Sequence, residues 1–160
     1  MHRPVNKLIH QFNERGLTLA LAESATCGLA THQLSTVRGT SNVLMGSVIC
    51  YNESVKSSLL SISPALIKRH TAESREVTDA LVKNLKRLFK VNVYAAITGL
   101  ASPGGSESKD KPVGTIFYAV LYKQQLHSTR MRFLGSPMEV KKKACDHLYK
   151  YLLDVTSMKK

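Results

Sequence analysis

The sequence predicts an α/β fold: a three-layer α/β/α sandwich with a mixed, mostly parallel sheet. Three observations carry that prediction. The short apolar runs LTLALA, VLMGSVICY and VNVYAAI have strand length, and each ends at a polar turn. Between them, apolar residues recur every three or four positions, the spacing of helices with one buried face. Two further β-prone runs separated by three polar residues read as a hairpin, followed by a last amphipathic stretch. Strand and helix alternating in this way describe a sheet covered on both faces.

In chain order, Val5, Leu8, Ile9 and Phe12 fall at i, i+3, i+4 and i+7, an amphipathic helix that closes at Gly16. Leu17 to Ala22 is the first strand, apolar on both faces as a central strand should be. Gly28 to Ser35 reads as a helix and Arg38-Gly39-Thr40-Ser41 as a loop. Val43 to Tyr51 is the second strand. Asn52 is placed to cap the helix that follows, with Val55, Leu59 and Leu60 as its apolar stripe. Ser63 and Pro64 start a short helix, Pro at its first position. Ser74 caps a long helix from Arg75 to Lys90, with Val77, Leu81, Leu85, Leu88 and Phe89 along one side. Val91 to Ile97 is the third strand, ending at Thr98-Gly99. Leu100 to Pro112 is the long irregular segment, and loops of that length in compact domains are functional or mobile. Val113 to Tyr122 and Leu126 to Phe133 flank Lys123-Gln124-Gln125 as an antiparallel hairpin. The final helix runs from about Met138 to Val155.

A length of 160 residues without internal repeat or composition shift suits a single domain over 1–160, with a core that needs no staples. The composition, 43% hydrophobic and 21% charged, is that of a soluble globular chain. No apolar run approaches the roughly 18 residues of a membrane span, and MHRPVNKLIHQFNERG lacks the apolar block of a secretory signal. The expectation is a cytoplasmic protein with no membrane partner. Three cysteines, Cys27, Cys50 and Cys145, are odd in number and lack C-x-x-C spacing, which argues against a disulfide framework and a zinc site. Cys27 lies near a helix start. The net charge of +12 raises nucleic acid as a partner. Its basic residues are spread over several helices and are not interleaved with aromatic residues, so a solvated basic face, compatible with an anionic metabolite, is the better reading and nucleic acid is not expected.

The candidate site starts at Leu17 to Leu29, LTLALAESATCGL, where a strand stops at a polar cluster that opens a helix. Such a turn presents a nucleophile or holds an anion, because the strand end is rigid and the helix start has unpaired N–H groups. The plainer alternative is that Ser24 or Thr26 caps the helix. If the first three strands are parallel, their ends bring together Ser24 with Thr26, Tyr51 with Lys56, and Thr98 with Gly99. Serine needs a base. There is no G-x-S-x-G elbow, and His10, His32, His70, His127 and His147 fall on helices or the hairpin. Lysine serves when burial or a nearby cation lowers its pKa, which makes Lys56 the candidate against the reading of one more solvated lysine. Ser102-Pro103-Gly104-Gly105 can offer backbone N–H groups to a phosphate or form a plain turn. Glu23 is the only carboxylate beside this site. Phosphate-loop, dinucleotide and metal-ligand spacings are absent, so no metal or cofactor is expected.

Several ordered motifs are similar to those of the CinA C-terminal domain family, whose stand-alone members include nicotinamide mononucleotide amidases of the PncC type. The pattern A-E-S-C-T-G-G-L resembles Ala22 to Leu29, and G-x-S resembles Gly39-Thr40-Ser41. The G-x-V-x-Y-x-N-x-x-K element resembles Gly46 to Lys56, with the Asn shifted to Asn52. T-G-x-A-G-P-G-G resembles Thr98 to Gly105, and K-P-V-G-T is intact as Lys111 to Thr115. The resemblance implies hydrolysis of nicotinamide mononucleotide to nicotinate mononucleotide and ammonia in pyridine nucleotide salvage, with Ser24 as nucleophile and Lys56 as base. It implies that Ser41, Tyr51 and Thr98 position the amide or relay protons, that no metal is needed, and that the protein forms homo-oligomers. The candidate catalytic residues are therefore Ser24, Lys56 and Tyr51. The candidate substrate-binding residues are Thr26, Ser41, Thr98, Gly99, Gly104 and Gly105. Three departures from the family pattern stand out. Cys27 and Ser102 stand where it has glycine, and G-D-R-E-x-V is here Gly135-Ser136-Pro137-Met138-Glu139-Val140, without the acidic residue and the arginine. Arg130, Arg132 and Lys141 are the cations that a replacement would draw on. At this level two functions stay open, the amidase and a member without catalysis that binds a nucleotide or a protein partner.

Overall fold

The computed structural model describes residues 4–158, so the outermost residues of the single domain expected over 1–160, residues 1–3 and 159–160, lie outside the described residues. Helix α1 (Pro4–Glu14) leads into strand β1 (Leu19–Glu23), α2 (Leu29–Ser35), β2 (Leu44–Ile49), α3 (Glu53–Leu60), α4 (Pro64–His70), α5 (Arg75–Asn84), β3 (Val93–Gly99), the hairpin β4 (Thr115–Tyr122) and β5 (Gln125–Arg132), and α6 (Pro137–Ser157). The sheet order is β2-β1-β3-β4-β5. β1 pairs parallel with β2 and β3, while β3–β4 and β4–β5 are antiparallel. Only β4 therefore runs against the other four, which is the mixed, mostly parallel sheet that the sequence predicts.

The period-two alternation of the strands sorts their side chains into two cores. Leu19 and Leu21, Val93, Ala95 and Ile97, and Ile116, Tyr118 and Val120 face α1, α2 and α6. Ala20 and Ala22, Tyr94 and Ala96, and Ala119 and Leu121 face α3, α4 and α5. Helices thus cover both faces; β1 and β4 are buried along their whole length and β3 from Val93 to Thr98, with Gly99 half-buried at its end. Among the described residues no helix is long and apolar enough to cross a membrane.

Element ends move where tertiary contacts claim the backbone. β1 begins at Leu19 because the Leu17 amide turns back to Phe12 O at 2.8 Å and the Thr18 amide bonds the Asn92 side chain at 2.9 Å. The helix expected over 75–90 stops at Asn84, whose side-chain amide donates to Leu60 O at 2.6 Å; Leu85–Arg87 tighten into a 3₁₀ turn. Phe89 then packs on Gly46, where a Cβ would come within 2.5 Å of its ring. The hairpin turn is two residues, not three: Lys123 and Gln124 both take positive φ and Tyr122 pairs with Gln125, the twist that suits a tight hairpin.

His147 on α6 is wedged between Tyr118, at a ring-centroid distance of 4.8 Å, and Tyr151, stacked at 6.1 Å, and its Nε2 is buried without a hydrogen-bond partner. Burial holds this imidazole below its ordinary value of 6.5; Lys150 acts the same way and Asp154 opposes it. The unfolded chain therefore takes up this proton first. The contribution to stability is full above 6.5 and is lost as the pH falls toward the folded-state value. Urea denaturation at about pH 7.5 and about pH 5 is expected to show a loss of stability on acidification, and His147→Asn should shrink that loss.

Candidate active site

The parallel register sets Glu23 opposite Ile49 on β2 and Ile97 on β3, so the chain leaves three strands at one edge of the sheet. Ser24 is the first residue beyond β1, and its amide donates to Ile97 O at 3.0 Å, which holds the residue to the sheet. The turn that follows places Cys27 at φ 50 and Gly28 at φ 91. A left-handed conformation at a non-glycine residue costs roughly 1–2 kcal/mol, so something must hold the turn.

Glu23 holds it. Its side chain is fully buried, and its two carboxylate oxygens accept from the Thr26 hydroxyl at 2.6 Å and from the amides of Gly28, Ala30 and Thr31 at 3.0, 3.2 and 2.7 Å, with the Thr31 hydroxyl as fifth donor. A carboxylate taking the amides at a helix start does the work of a cap and favours the positive end of the helix. Neither Ser24 nor Thr26 caps α2: its cap position is Gly28, which makes no side-chain cap bond. The Thr26 hydroxyl is spent on Glu23, and Ser24 Oγ is left for Lys56.

Lys56 lies in the second turn of α3, whose start is fixed by the Asn52 side chain on the Ser54 amide at 2.9 Å. It is 1% exposed. Its Nζ is 3.1 Å from Ser24 Oγ, 2.7 Å from Cys50 O and 3.2 Å from Tyr51 O. The ion pairs among the described residues, His10–Glu14, His70–Glu76 and Arg75–Asp79, do not include it. Burial pulls the Lys56 amine below its ordinary value of 10.5, opposed by Cys50 first and then by Glu73 and Glu53. A neutral amine has two N–H donors and one lone pair. With both donors on the two carbonyls, the lone pair is left to the Ser24 hydroxyl.

The other predicted site residues divide. Tyr51 contributes its carbonyl to Lys56, while its side chain is 63% exposed on the rim of a cleft of about 250 Å³ that opens over Ser24. Gly99, Gly104 and Gly105 line the same cleft. Gly99 has φ 144, and a Cβ there would come within 2.4 Å of Thr115 O, so glycine alone lets β3 and β4 close at that edge. Thr98 is fully buried behind the cleft. Thr78 gives its hydroxyl hydrogen to Ser74 O at 2.6 Å, so in the 2.7 Å contact between them Thr98 is the donor, and this ties β3 to α5. Ser41 does not join the group: it is exposed in the 3₁₀ turn Thr40–Asn42 that precedes β2, at the opposite end of that strand.

Sequence reasoning missed Glu73 as a cleft-lining residue, while Pro137, read as a departure from the family pattern, and Lys141, read as a replacement cation, both line the cleft. Glu73 belongs to a latch in which Lys111 Nζ donates to Thr71 Oγ1, Glu73 O and Ser106 Oγ at 2.6, 2.9 and 2.7 Å, while the Ser106 hydroxyl donates to the Glu73 carboxylate. The intact K-P-V-G-T run marked Lys111, but no local pattern ties it to a connector 40 residues away. Of the three cations considered as replacements for the absent arginine, Lys141 lines the cleft; Arg130 packs over the Phe117 ring at 5.6 Å and lines a neighbouring one. Among the described residues no group of three or more His, Cys, Asp or Glu is arranged to hold a metal ion.

A family model described as the CinA C-terminal domain matches residues 2–156. The chain is 37% identical over 113 residues to a CinA-like protein of Myxococcus xanthus, covering 71% of this chain and 27% of that protein. It is 34% identical over 154 residues to a putative competence-damage inducible protein of Bacillus cereus, covering 93% and 37%. It thus spans about a third of the length of these curated relatives. The fold matches the competence-damaged protein (CinA) superfamily protein from Enterobacter cloacae with TM-score 0.87 at 25% identity, covering 96% and 92% of the two chains. It also matches the competence/damage inducible protein CihA from Agrobacterium tumefaciens with TM-score 0.90 at 24% identity, covering 96% and 94%.

The Glu23 clamp has a measurable weight. Glu23→Ala leaves several buried donors without an acceptor and should cost roughly 3–5 kcal/mol in urea denaturation, the range for stripping the partner from a buried polar cluster. Glu23→Gln, which keeps one acceptor oxygen, should cost less.

Proposed function

The chain belongs to the CinA C-terminal domain family, and from that premise we propose that it is an amidohydrolase that deamidates nicotinamide mononucleotide through Ser24 and Lys56. The observation that carries the reading is the buried Lys56 amine, 3.1 Å from Ser24 Oγ, with two backbone carbonyls on its remaining donors. In this reading neutral Lys56 takes the Ser24 proton as Oγ bonds to the carboxamide carbon. The ammonium so formed has three acceptors in place, Ser24 Oγ, Cys50 O and Tyr51 O, and gives a proton to the departing nitrogen, which leaves as ammonia. Water then attacks the acyl ester with Lys56 again as base, and the carboxylate product departs as Ser24 regains its proton. Ala25 follows the nucleophile directly and lines the cleft, and its amide makes no hydrogen bond among the described residues; in this reading that amide donates to the developing oxyanion.

A second reading rests on Pro137. This residue lines the cleft where the family pattern has arginine, and proline can neither carry charge nor donate. In that reading the chain binds a nucleotide without turning it over. Lys141, on the same wall and one turn further along α6, supports the first reading by keeping a cation in the cleft.

Ammonia release from nicotinamide mononucleotide separates them. The amidase reading expects turnover by the native protein and losses on the order of 1,000-fold or more in Ser24→Ala and Lys56→Met. Native protein that binds the nucleotide in a calorimeter without releasing ammonia supports the second reading, and turnover untouched by Ser24→Ala removes the first. Only the neutral amine is a base, so kcat/KM should rise with pH along a limb whose midpoint lies below 10.5, the ordinary value that burial lowers.

A further inference from the structure

Among the described residues that line the cleft, only Glu73 and Lys141 carry charge. They come from different helical layers. Glu73 lies in the connector between α4 and α5, flanked by Ala72 and Val77 of the core on that face of the sheet. Lys141 follows Val140 on α6, whose buried residues belong to the core on the other face. Ser24 leaves β1, an inner strand, in the sheet between the two layers. The cleft therefore has an anionic side and a cationic side, with the Ser24 turn at the sheet edge between them.

The Glu73 carboxylate is held in place but not used up. The Ser106 hydroxyl donates to its Oε2, while Oε1 accepts from no group among the described residues. Lys111 lies beside it, yet its ammonium donates to Thr71 Oγ1, Glu73 O and Ser106 Oγ instead of to the carboxylate. The ion pairs among the described residues do not include Glu73. Its charge opposes burial at Lys56, so it lies within electrostatic reach of the Ser24–Lys56 pair. A half-buried, tethered carboxylate is less screened than a mobile surface one, and its ordering is already achieved before a ligand arrives.

We propose that Glu73 determines specificity in this cleft: its carboxylate selects amide substrates whose ring bears a fixed positive charge over neutral amides of the same shape. The assignment rests on the reading of this cleft as the amide-substrate site, and it is tested without turnover. A nicotinamide ring alkylated on its nitrogen is permanently cationic. The benzamide with carbon in place of that nitrogen has the same outline and no charge, so Glu73 distinguishes the two by charge alone. Lys141, on the other side of the cleft, repels the cationic ring and sets it toward Glu73. At about 6 Å and an effective dielectric of about 40, the attraction of opposite unit charges corresponds to roughly a tenfold preference.

The protein is small enough for amide-resolved magnetic resonance, with the Ala25 and Gly99 amides as reporters inside the cleft. Native protein, Glu73→Gln and Ser106→Ala are titrated with nicotinamide methylated on its ring nitrogen and with meta-methylbenzamide, its uncharged isostere. The native protein is expected to bind the cation about tenfold more tightly than the isostere. Glu73→Gln, which keeps an acceptor for Ser106, should bring the two midpoints together by weakening the cation alone. Ser106→Ala removes the tether, keeps the charge and should retain a preference for the cation. Equal midpoints in the native protein, or cleft amides that ignore the cation, overturn the proposal. So does a preference that survives Glu73→Gln intact. Equal weakening of both probes in Glu73→Gln means that Glu73 accepts from the carboxamide they share, and a preference lost as fully in Ser106→Ala belongs to the latch; either result rejects selection by charge. Turnover without a cation preference sinks the Glu73 assignment alone, and a cation preference without ammonia release sinks the amidase alone.

Discussion

The buried carboxylate of Glu23 is the constraint on which the cleft edge of the sheet depends. Its backbone ends β1 between β2 and β3, where its carbonyl accepts from the Cys50 amide at 2.8 Å. Its side chain turns inward and takes five donors from the next eight residues. A carboxylate removed from water without a cation is tolerable only when its lone pairs are filled, and here the start of α2 fills them. The same bonds hold Cys27 and Gly28 in the left-handed region and leave the Ser24 side chain directed at α3. Ser24 is thus positioned by its neighbour.

Lys56 opposes stability at this edge. A cation-forming group at 1% exposure is costly to bury, and among the described residues no carboxylate makes an ion pair with it, Glu73 and Glu53 offsetting the burial only from a distance. The cost is limited by the carbonyls of Cys50 and Tyr51, which are free for it because β2 ends at Ile49. A further local cost stands at Thr71, a β-branched residue at φ 69, whose hydroxyl accepts from Lys111. Strained backbone persists where surroundings over-determine it, and both Cys27 and Thr71 sit within networks that bound the cleft.

Much of this architecture was legible in the residues. Val5, Leu8, Ile9 and Phe12 are buried as their spacing demands, and Ser74 and Asn52 cap the helices for which they were read. Local pattern failed where a distant group outcompeted it. The α-helix ends at Asn84, whose side-chain amide is held by Leu60 O, a long-range contact that no helix propensity anticipates. Lys123 and Gln124 adopt a turn that favours Asn and Gly, because the pairing of β4 with β5 holds it closed. Ser41 lay near the candidate residues by motif, but it precedes a parallel strand while they follow strands, and the two ends of a strand lie on opposite edges of the sheet.

By itself the sequence determined the alternation of elements, the two-faced burial of the central strands and the gathering of Ser24, Tyr51, Lys56 and Gly99 at strand ends. These follow from periodicity and from parallel connection, which act over a few residues or through general rules of chain topology. Only the tertiary structure decided that the Lys56 amine is buried against Ser24, that Glu23 and not a hydroxyl caps α2, that Glu73 and Lys141 complete the cleft, and that Glu107 occupies the Gly104 and Gly105 amides. Each of these depends on desolvation or on a hydrogen bond between groups whose distance is set by the packed sheet. Sequence spacing carries no record of that distance.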